Sequence, residues 1–244
     1  MDRLVYLAMA GAKATLQRQE VLAHNLANAS TNGFRAELAA FRAVPVRGDG
    51  ASTRVYALES TVGHDLQPGP VQTTGRPLDV ALPGKAWLAV QALDGTEAYT
   101  RSGALAVDAE GQLVTAAGLP VAGTGGPITV PPGARVAIAA DGSVSAAVGD
   151  AAPQVVGRIK LVLPEAPLAR GADGLFRAAD GEDLPADPGA RLQDGALEGS
   201  NVSPVQTMVA MIAAARQFEQ QMKALRMAEQ REQHAQRLLS PNGM

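Results

Sequence analysis

The chain has 244 residues, which is enough for one or two domains with a sizeable hydrophobic core. Its formal net charge of -3 offers no basic surface for nucleic acid, and no apolar run approaches the roughly 20 residues that span a bilayer. The absence of cysteine excludes disulfides and thiol chemistry.

The first predicted element is an amphipathic helix close to the N-terminus. One face of it carries residues at steps of three, four and seven: Leu4, Ala8, Gly11, Thr15, Leu22 and Leu26. A signal peptide is the alternative interpretation. Asp2 and Arg3 cancel each other's charge, however, and the periodicity continues past the small residues at 10–12 that could form a cleavage site. We therefore expect a helix of the mature protein.

This helix pattern stops in a run of small polar residues. Residues 25–34 read Asn-Leu-Ala-Asn-Ala-Ser-Thr-Asn-Gly-Phe. Asn, Ser and Thr side chains compete for backbone hydrogen bonds, and glycine readily adopts the left-handed conformation, so such a run favours a helix end.

The middle of the chain, from about residue 41 to 192, is predicted to be strands and turns. Apolar runs typical of strands lie at 78–82, 87–91, 128–130, 136–138, 144–146 and 159–163. Residues 105–107 and 113–114 flank a glycine turn and predict a hairpin. Residues 43–74 have a weaker pattern, rich in Gly, Pro and Thr, and are predicted to form an extended linker or a loop that orders on contact.

A second amphipathic helix is predicted close to the C-terminus. Met208, Met211, Ala215, Phe218, Met222 and Leu225 recur at alternating steps of three and four, as in a coiled-coil seam. Ser200, Asn201 and Ser203 precede Pro204, which suits a first helical turn. Such a helix often packs on its own domain. Two of them, with no third helix to complete a bundle, favour partners outside the fold.

No residue pattern indicates catalysis, a cofactor or a metal site. The three histidines, His24, His64 and His234, lack ligand spacing, and no nucleophile elbow, phosphate loop or dinucleotide fingerprint occurs. Asp79 is the most suggestive carboxylate, but Arg76 lies three residues before it, and a structural salt bridge is the favoured interpretation.

Three blocks together resemble the flagellar rod and hook protein family. The first is residues 25–35. The second comprises Arg76-Pro77-Leu78-Asp79-Val80-Ala81-Leu82, Trp87-Leu88-Ala89-Val90 and Ala98-Tyr99-Thr100-Arg101-Ser102-Gly103. The third is Leu197-Glu198-Gly199-Ser200-Asn201-Val202, leading to Arg216-Gln217-Phe218-Glu219. Gly199, the Trp87-Leu88 pair and the modest length favour the proximal rod member over the distal rod and hook members.

The resemblance implies an α+β structural protein that polymerises into the periplasmic rod of the flagellar basal body. Residues 1–34 and 197–244 are then assembly helices that pair as a coiled coil, 35–75 is a connector, and 76–196 is a β-rich outer domain. The implied partners are copies of the chain, neighbouring rod subunits and the flagellar type III export apparatus, which exports such subunits without a cleaved signal peptide. No small-molecule substrate is implied.

The assembly residues that follow from the two helix patterns and the resemblance form one set. They are Leu4, Ala8, Gly11, Leu22, Asn25, Leu26, Asn28, Ser30, Thr31, Asn32, Gly33, Phe34, Ser200, Asn201, Met208, Met211, Ala215, Phe218, Met222 and Leu225. The resemblance also implies that the Asn, Ser and Thr side chains of 25–32 cap the helix end and bond neighbouring backbone. Two alternatives stay open: a distal rod or hook-type protein of the same family, and, more remotely, a secreted β-rich enzyme.

Overall fold

A computed structural model describes residues 3–45 and 55–239 of the chain. The chain divides into two compact units. The helical unit comprises Met1–Ala29, Ala36–Asp65 and Val202–Met244, and the β unit comprises Ser30–Arg35 and Leu66–Asn201. The chain therefore crosses between the units four times.

The helical unit consists of two long helices and a hairpin. Helix α1 spans Arg3–Ala27 and α2 spans Pro204–Leu239, while strands β1 (Glu37–Pro45) and β2 (Val55–His64) pair antiparallel. Helix α1 contacts both α2 and the hairpin. Much of the segment predicted to be an extended connector is thus a regular two-stranded sheet, and the tip of this hairpin lies outside the described residues.

Small side chains allow α1 and α2 to approach each other closely. The buried residues of α1 include Ala8, Ala12 and Thr15, and a Cβ added at Gly11 would lie 3.0 Å from Cδ of Gln221 on α2. Close approach increases the number of dispersion contacts along the helix pair.

The buried face of α2 differs from the predicted seam. Thr207, Ala214 and Ala228 are buried, whereas Met208 is 50% exposed and Ala215 is exposed. The other four predicted seam residues, Met211, Phe218, Met222 and Leu225, are half-buried. The buried face is therefore shifted by one residue at two of the six predicted positions, from Met208 to Thr207 and from Ala215 to Ala214. The periodic pattern selects large apolar side chains, whereas the close helix pair buries small ones.

The β unit contains sixteen short strands. They are β3 (Val71–Thr73), β4 (Val80–Ala81), β5 (Trp87–Gln91), β6 (Glu97–Thr100), β7 (Leu105–Val107), β8 (Leu113–Thr115), β9 (Ala122–Gly123), β10 (Gly126–Pro127), β11 (Arg135–Ile138), β12 (Ser143–Ala147), β13 (Gln154–Arg158), β14 (Leu161–Val162), β15 (Ala169–Arg170), β16 (Phe176–Arg177), β17 (Gln193–Asp194) and β18 (Ala196–Glu198). The largest sheet has the order β14-β5-β6-β16-β15, and β11-β12-β13 form a second sheet.

Strand β5 is buried on both faces, which explains its continuous apolar sequence. Leu88 and Val90 join the main core of the β unit. Trp87 and Ala89 join a smaller core, in which the ring centroids of Trp87 and Phe176 lie 4.6 Å apart. Two core layers therefore meet at this strand.

Several local predictions are confirmed. Strands β5, β11 and β12 lie where the apolar runs placed them, and β7 and β8 form the predicted hairpin, with Gly111 in the left-handed region (φ 83°). Residues 128–130, however, make only an isolated bridge between Thr129 and Gln112, so that strand prediction is wrong. Neither helix, over its described residues, is both long and apolar enough to cross a bilayer.

Candidate assembly site

The three sequence blocks meet inside the β unit at the carboxylate of Glu198. Nη2 of Arg35 donates to Oε1 of Glu198 at 2.6 Å. Nε and Nη2 of Arg101 both donate to Oε2, at 2.8 and 2.6 Å. All three side chains are at most 2% exposed. The end of the first block, the second block and the start of the third are therefore joined by one buried ion triad.

A fourth segment also bonds this carboxylate, because the backbone N–H of Gly69 donates to Oε1 at 3.0 Å. Arg101 uses its remaining donors on backbone carbonyls: Nη1 bonds Gly84 and Ala86, and Nη2 bonds Leu82. Charges buried in this way are tolerated only when they are paired and hydrogen-bonded.

The triad has one positive charge more than it has negative charge, since two guanidinium groups share one carboxylate. Burial lowers the pKa of Arg101, the neighbouring charge of Arg35 lowers it further, and Glu198 opposes both effects. Glu198 is consequently the group that makes burial of both cations possible.

Backbone contacts hold the first and third blocks side by side. The N–H of Gly33 donates to the carbonyl of Glu198 at 2.8 Å, and the N–H of Asn201 donates to the carbonyl of Phe34 at 3.3 Å. Gly33 is in the left-handed region (φ 72°), and a Cβ there would overlap the backbone of Arg101. Only glycine fits at this position.

The Asn side chains of the first block bond backbone groups in the helical unit. Asn25 forms a two-way pair with Glu37: its Nδ2 donates to the carbonyl at 2.9 Å, and its Oδ1 accepts from the N–H at 2.8 Å. Nδ2 of Asn28 donates to the carbonyl of His24 at 2.9 Å, in addition to the bond at 3.2 Å that this carbonyl accepts from the N–H of Asn28 at the helix end. Asn25 thus joins α1 to β1, and Asn28 caps α1.

The remaining predicted assembly residues of the first and third blocks lie in different environments. Phe34 is buried, and the guanidinium carbon of Arg170 lies 4.7 Å from its ring centroid. Ser200 is buried, and Nδ2 of Asn201 donates to the carbonyl of Gln67 at 3.0 Å. Asn32 is half-buried, while Ser30 and Thr31 are exposed.

The predicted residues of α1 are covered to different degrees. Ala8 is buried, and Gly11, Leu22 and Leu26 are half-buried. Leu4 lies in the helix, but its side chain is outside the described part of the chain.

Each helix also exposes large apolar side chains. On α2 the exposed residues are Met227 and a group close to the start of the helix, Val205, Met208, Val209 and Ile212, which we call the α2 patch. Their steps of three and four place them on one side of the helix. On α1 the exposed residues are Tyr6, Met9 and Leu16. Of these eight, only Met208 was a predicted assembly residue.

Sequence reasoning did not single out Arg35, Arg101 or Glu198, although each lies in a recognised block. The sequence carried no signal for Glu198. In β18 the alternation of strand faces sets Leu197 opposite Ala196 and Glu198, and the face that is buried is the one with Ala196 and Glu198, whereas the more apolar Leu197 is half-buried. The two arginine partners carry no local signal either.

The described residues contain no group of three His, Asp or Glu placed to hold a metal ion. Asp79 accepts from Arg76 at 3.1 Å and from Thr74 at 2.8 Å, which confirms the predicted structural salt bridge. His24 Nδ1 lies 3.3 Å from Oε2 of Glu37 at the surface.

Comparison with known proteins gives consistent matches along the whole chain. The family model described as flagella basal body rod protein matches residues 6–35, the flagellar hook protein FlgE/F/G D1 domain matches 81–146, and the flagellar basal body rod FlgEFG protein C-terminal model matches 193–238. The flagellar basal-body rod proteins FlgF of Salmonella typhimurium and Escherichia coli are each 51% identical to it, over 98% of this chain and 99% of theirs. A FlgG protein of Agrobacterium fabrum is 30% identical over 93% of this chain and 96% of its own.

Proposed function

Since the chain belongs to the flagellar basal-body rod protein family, and is a structural subunit of the rod and not an enzyme, we propose that its two terminal helices carry the contacts that build the rod. The proximal rod is favoured over the distal rod or hook-type alternative, because this chain is 51% identical to the FlgF proteins of Salmonella typhimurium and Escherichia coli and 30% identical to the FlgG protein of Agrobacterium fabrum.

The single observation that carries this proposal is the α2 patch. Val209 is 62% exposed and Val205 is 72% exposed, beside Met208 and Ile212 on the same side of the helix. Burying a large apolar side chain stabilises a contact by roughly 1.5–3 kcal/mol, so four such residues can contribute substantially to subunit association. The four residues have the i, i+3, i+4 and i+7 spacing by which an amphipathic helix docks into an apolar groove, such as the groove between neighbouring helices.

Within one subunit, α1 and α2 would form an antiparallel pair of coiled-coil type. Gly11 approaches Gln221, and the two residues lie at similar distances along the chain from Ala27 and Pro204, as antiparallel pairing requires. The core of this pair is built from small residues that bury little area. We therefore infer that the helix pair is loosely held and only marginally stable in the free subunit, so that it melts readily, and that it becomes fully ordered on stacking.

The proposed partners are copies of this chain and neighbouring rod subunits. Contacts between different surfaces of successive subunits generate a helical tube instead of a closed ring. We further infer that the flagellar type III apparatus exports the subunit to a periplasmic rod without signal-peptide cleavage; a chain free of cysteine cannot form disulfides on the way.

The test is a pair of substitutions on the same turn of α2. Met208→Asp places a charge in the α2 patch and is expected to reduce incorporation into basal bodies at least several-fold, with matching loss of motility. Gln206→Asp adds the same charge at an exposed position outside the patch and is expected to incorporate normally. Immunoblotting of isolated basal bodies measures both. Normal incorporation of Met208→Asp would contradict the proposal.

A further inference from the structure

A cavity of about 230 Å³ lies beside the ion triad in the β unit. Its walls include Arg35, Arg101, Trp87 and Lys85, together with the loop of residues 164–168. Arg35, Arg101 and Lys85 are cationic, and Glu165, in the loop of residues 164–168, contributes one carboxylate to the cavity wall. The cavity is thus bordered by both arginines that share Glu198.

Arg35 is incompletely paired. Its Nη2 bonds Glu198, but Nε and Nη1 have no hydrogen-bond partner among the described residues, although the side chain is only 1% exposed. An unpartnered buried donor costs about 1–3 kcal/mol, more when it is charged. Buried polar atoms without partners are rare enough in folded proteins to indicate a missing ligand group or water.

The net charge of the triad also indicates that a ligand group is missing at this cavity. Glu198 balances one of the two buried guanidinium groups, so one positive charge stays uncompensated at the cavity wall. In an environment of low dielectric constant, an anion a few ångströms from that charge is attracted much more strongly than it would be in water. Lys85, exposed at the same cavity, adds further attraction.

We propose that this cavity is a carboxylate-binding site, in which one carboxylate compensates the excess charge of Arg35 and Arg101. A single negative charge matches the excess, and the volume exceeds that of a few water molecules at about 30 Å³ each, which leaves room for an acetate-sized group. Both unpartnered nitrogens of Arg35 are covered from solvent, so direct bonding to them needs a small rotation of the side chain, whereas charge attraction needs none.

The carboxylate can come from a small solute or from an Asp or Glu side chain of a neighbouring subunit. Both sources present the same chemistry to the cavity. The binding test therefore comes first and uses the full chain in solution, where no rod is present.

Trp87 supplies the measurement, because it is the only tryptophan of the chain and lies in the cavity wall, with the guanidinium carbon of Arg101 5.8 Å from its ring centroid. Sodium acetate is titrated against sodium chloride at constant ionic strength. We expect a saturable change in Trp87 fluorescence with acetate. Lys85→Gln should weaken the apparent affinity at least threefold, and Lys223→Gln, the same charge change at an exposed position of the helical unit, should leave it unchanged.

An absent or non-saturable response, or equal effects of the two lysine variants, would overturn the proposal. Incorporation into basal bodies then identifies the source. Reduced incorporation of Lys85→Gln relative to Lys223→Gln assigns the carboxylate to a neighbouring subunit, and equal incorporation with a retained acetate response assigns it to a solute. The fluorescence result does not depend on the rod contacts proposed for α2, so the two proposals can fail separately.

Discussion

At the scale of single residues, Glu198 joins several segments of the β unit. Its two carboxylate oxygens accept from two guanidinium groups and one backbone amide, all buried. The segments that they belong to are far apart in sequence. One side chain therefore holds together parts of the chain that no local interaction could bring into contact.

Replacing Glu198 by Gln is expected to destabilise the β unit by about 3–5 kcal/mol, because it leaves both arginines buried without a counter-charge. Denaturation in urea, followed by Trp87 fluorescence, measures the loss. Glu182→Gln removes an exposed carboxylate and should change the free energy of unfolding by less than about 0.5 kcal/mol. A loss below about 1 kcal/mol for Glu198→Gln would show that the triad contributes little.

Gly33 and Gly75 provide a second comparison, since both have φ of 72°. A Cβ at Gly75 meets no atom within 4 Å, whereas a Cβ at Gly33 overlaps the backbone of Arg101. Gly75→Ala should therefore cost about 1–2 kcal/mol for backbone strain alone. Gly33→Ala should cost at least about 2 kcal/mol more, because the chain must move to relieve the overlap. Equal losses in urea denaturation would argue against close packing at Gly33.

At the scale of elements, α2 has two faces that differ in burial. Met211 is half-buried in the helical unit, beside the buried Thr207 and Ala214, while Met208 is exposed in the α2 patch. The side facing α1 is thus occupied within one subunit, and the patch, which we propose contacts another subunit, is exposed.

The difference in burial between Met211 and Met208 predicts that replacement by Asp has different effects at the two positions. Met211→Asp should lower the thermal midpoint of the helical unit, because it places a charge in a partly buried helix contact, and it should also block rod incorporation. Met208→Asp should block incorporation without lowering that midpoint. Circular dichroism at 222 nm, recorded during heating of each purified variant, distinguishes the two. Identical melting curves for both variants and the unsubstituted chain would exclude a buried role for Met211.

At the scale of the whole molecule, the pH dependence of stability is expected to be set on the alkaline side by Tyr99. Its buried hydroxyl donates to Oε1 of Glu97 at 2.8 Å and accepts from the N–H of Leu184 at 2.6 Å. Burial raises the pKa of Tyr99 above its ordinary value. The unfolded chain releases this proton near pH 10, while the folded chain retains it to higher pH.

Because the folded state holds more protons in that range, alkali favours unfolding. The stabilising contribution is complete below about pH 10 and decreases as the pH rises above it. Urea denaturation at pH 9 and pH 11 should show a loss of stability that is smaller in Tyr99→Phe, even though this variant is less stable at pH 9 for lack of two hydrogen bonds. If Tyr99→Phe lost as much free energy of unfolding between pH 9 and pH 11 as the unsubstituted chain, the alkaline loss of stability would belong to other groups.

The sequence by itself determined the features that depend on neighbouring residues. Helix periodicity located α1 and α2, Pro204 marked the start of the second helix, and the glycine of the 105–115 hairpin marked a turn. The three recognised blocks also identified the family, because their residue types and order are visible without any coordinates.

Only the tertiary structure decided which side chains meet. Arg35 and Arg101 lie 163 and 97 residues from Glu198, and no periodic pattern connects positions so far apart. The same reason explains the shifted seam of α2: hydropathy ranks Met208 above Thr207, but the distance between two packed helices selects the smaller side chain. The local sequence determines which secondary structure a segment can form, whereas packing among distant segments decides which of its faces is buried.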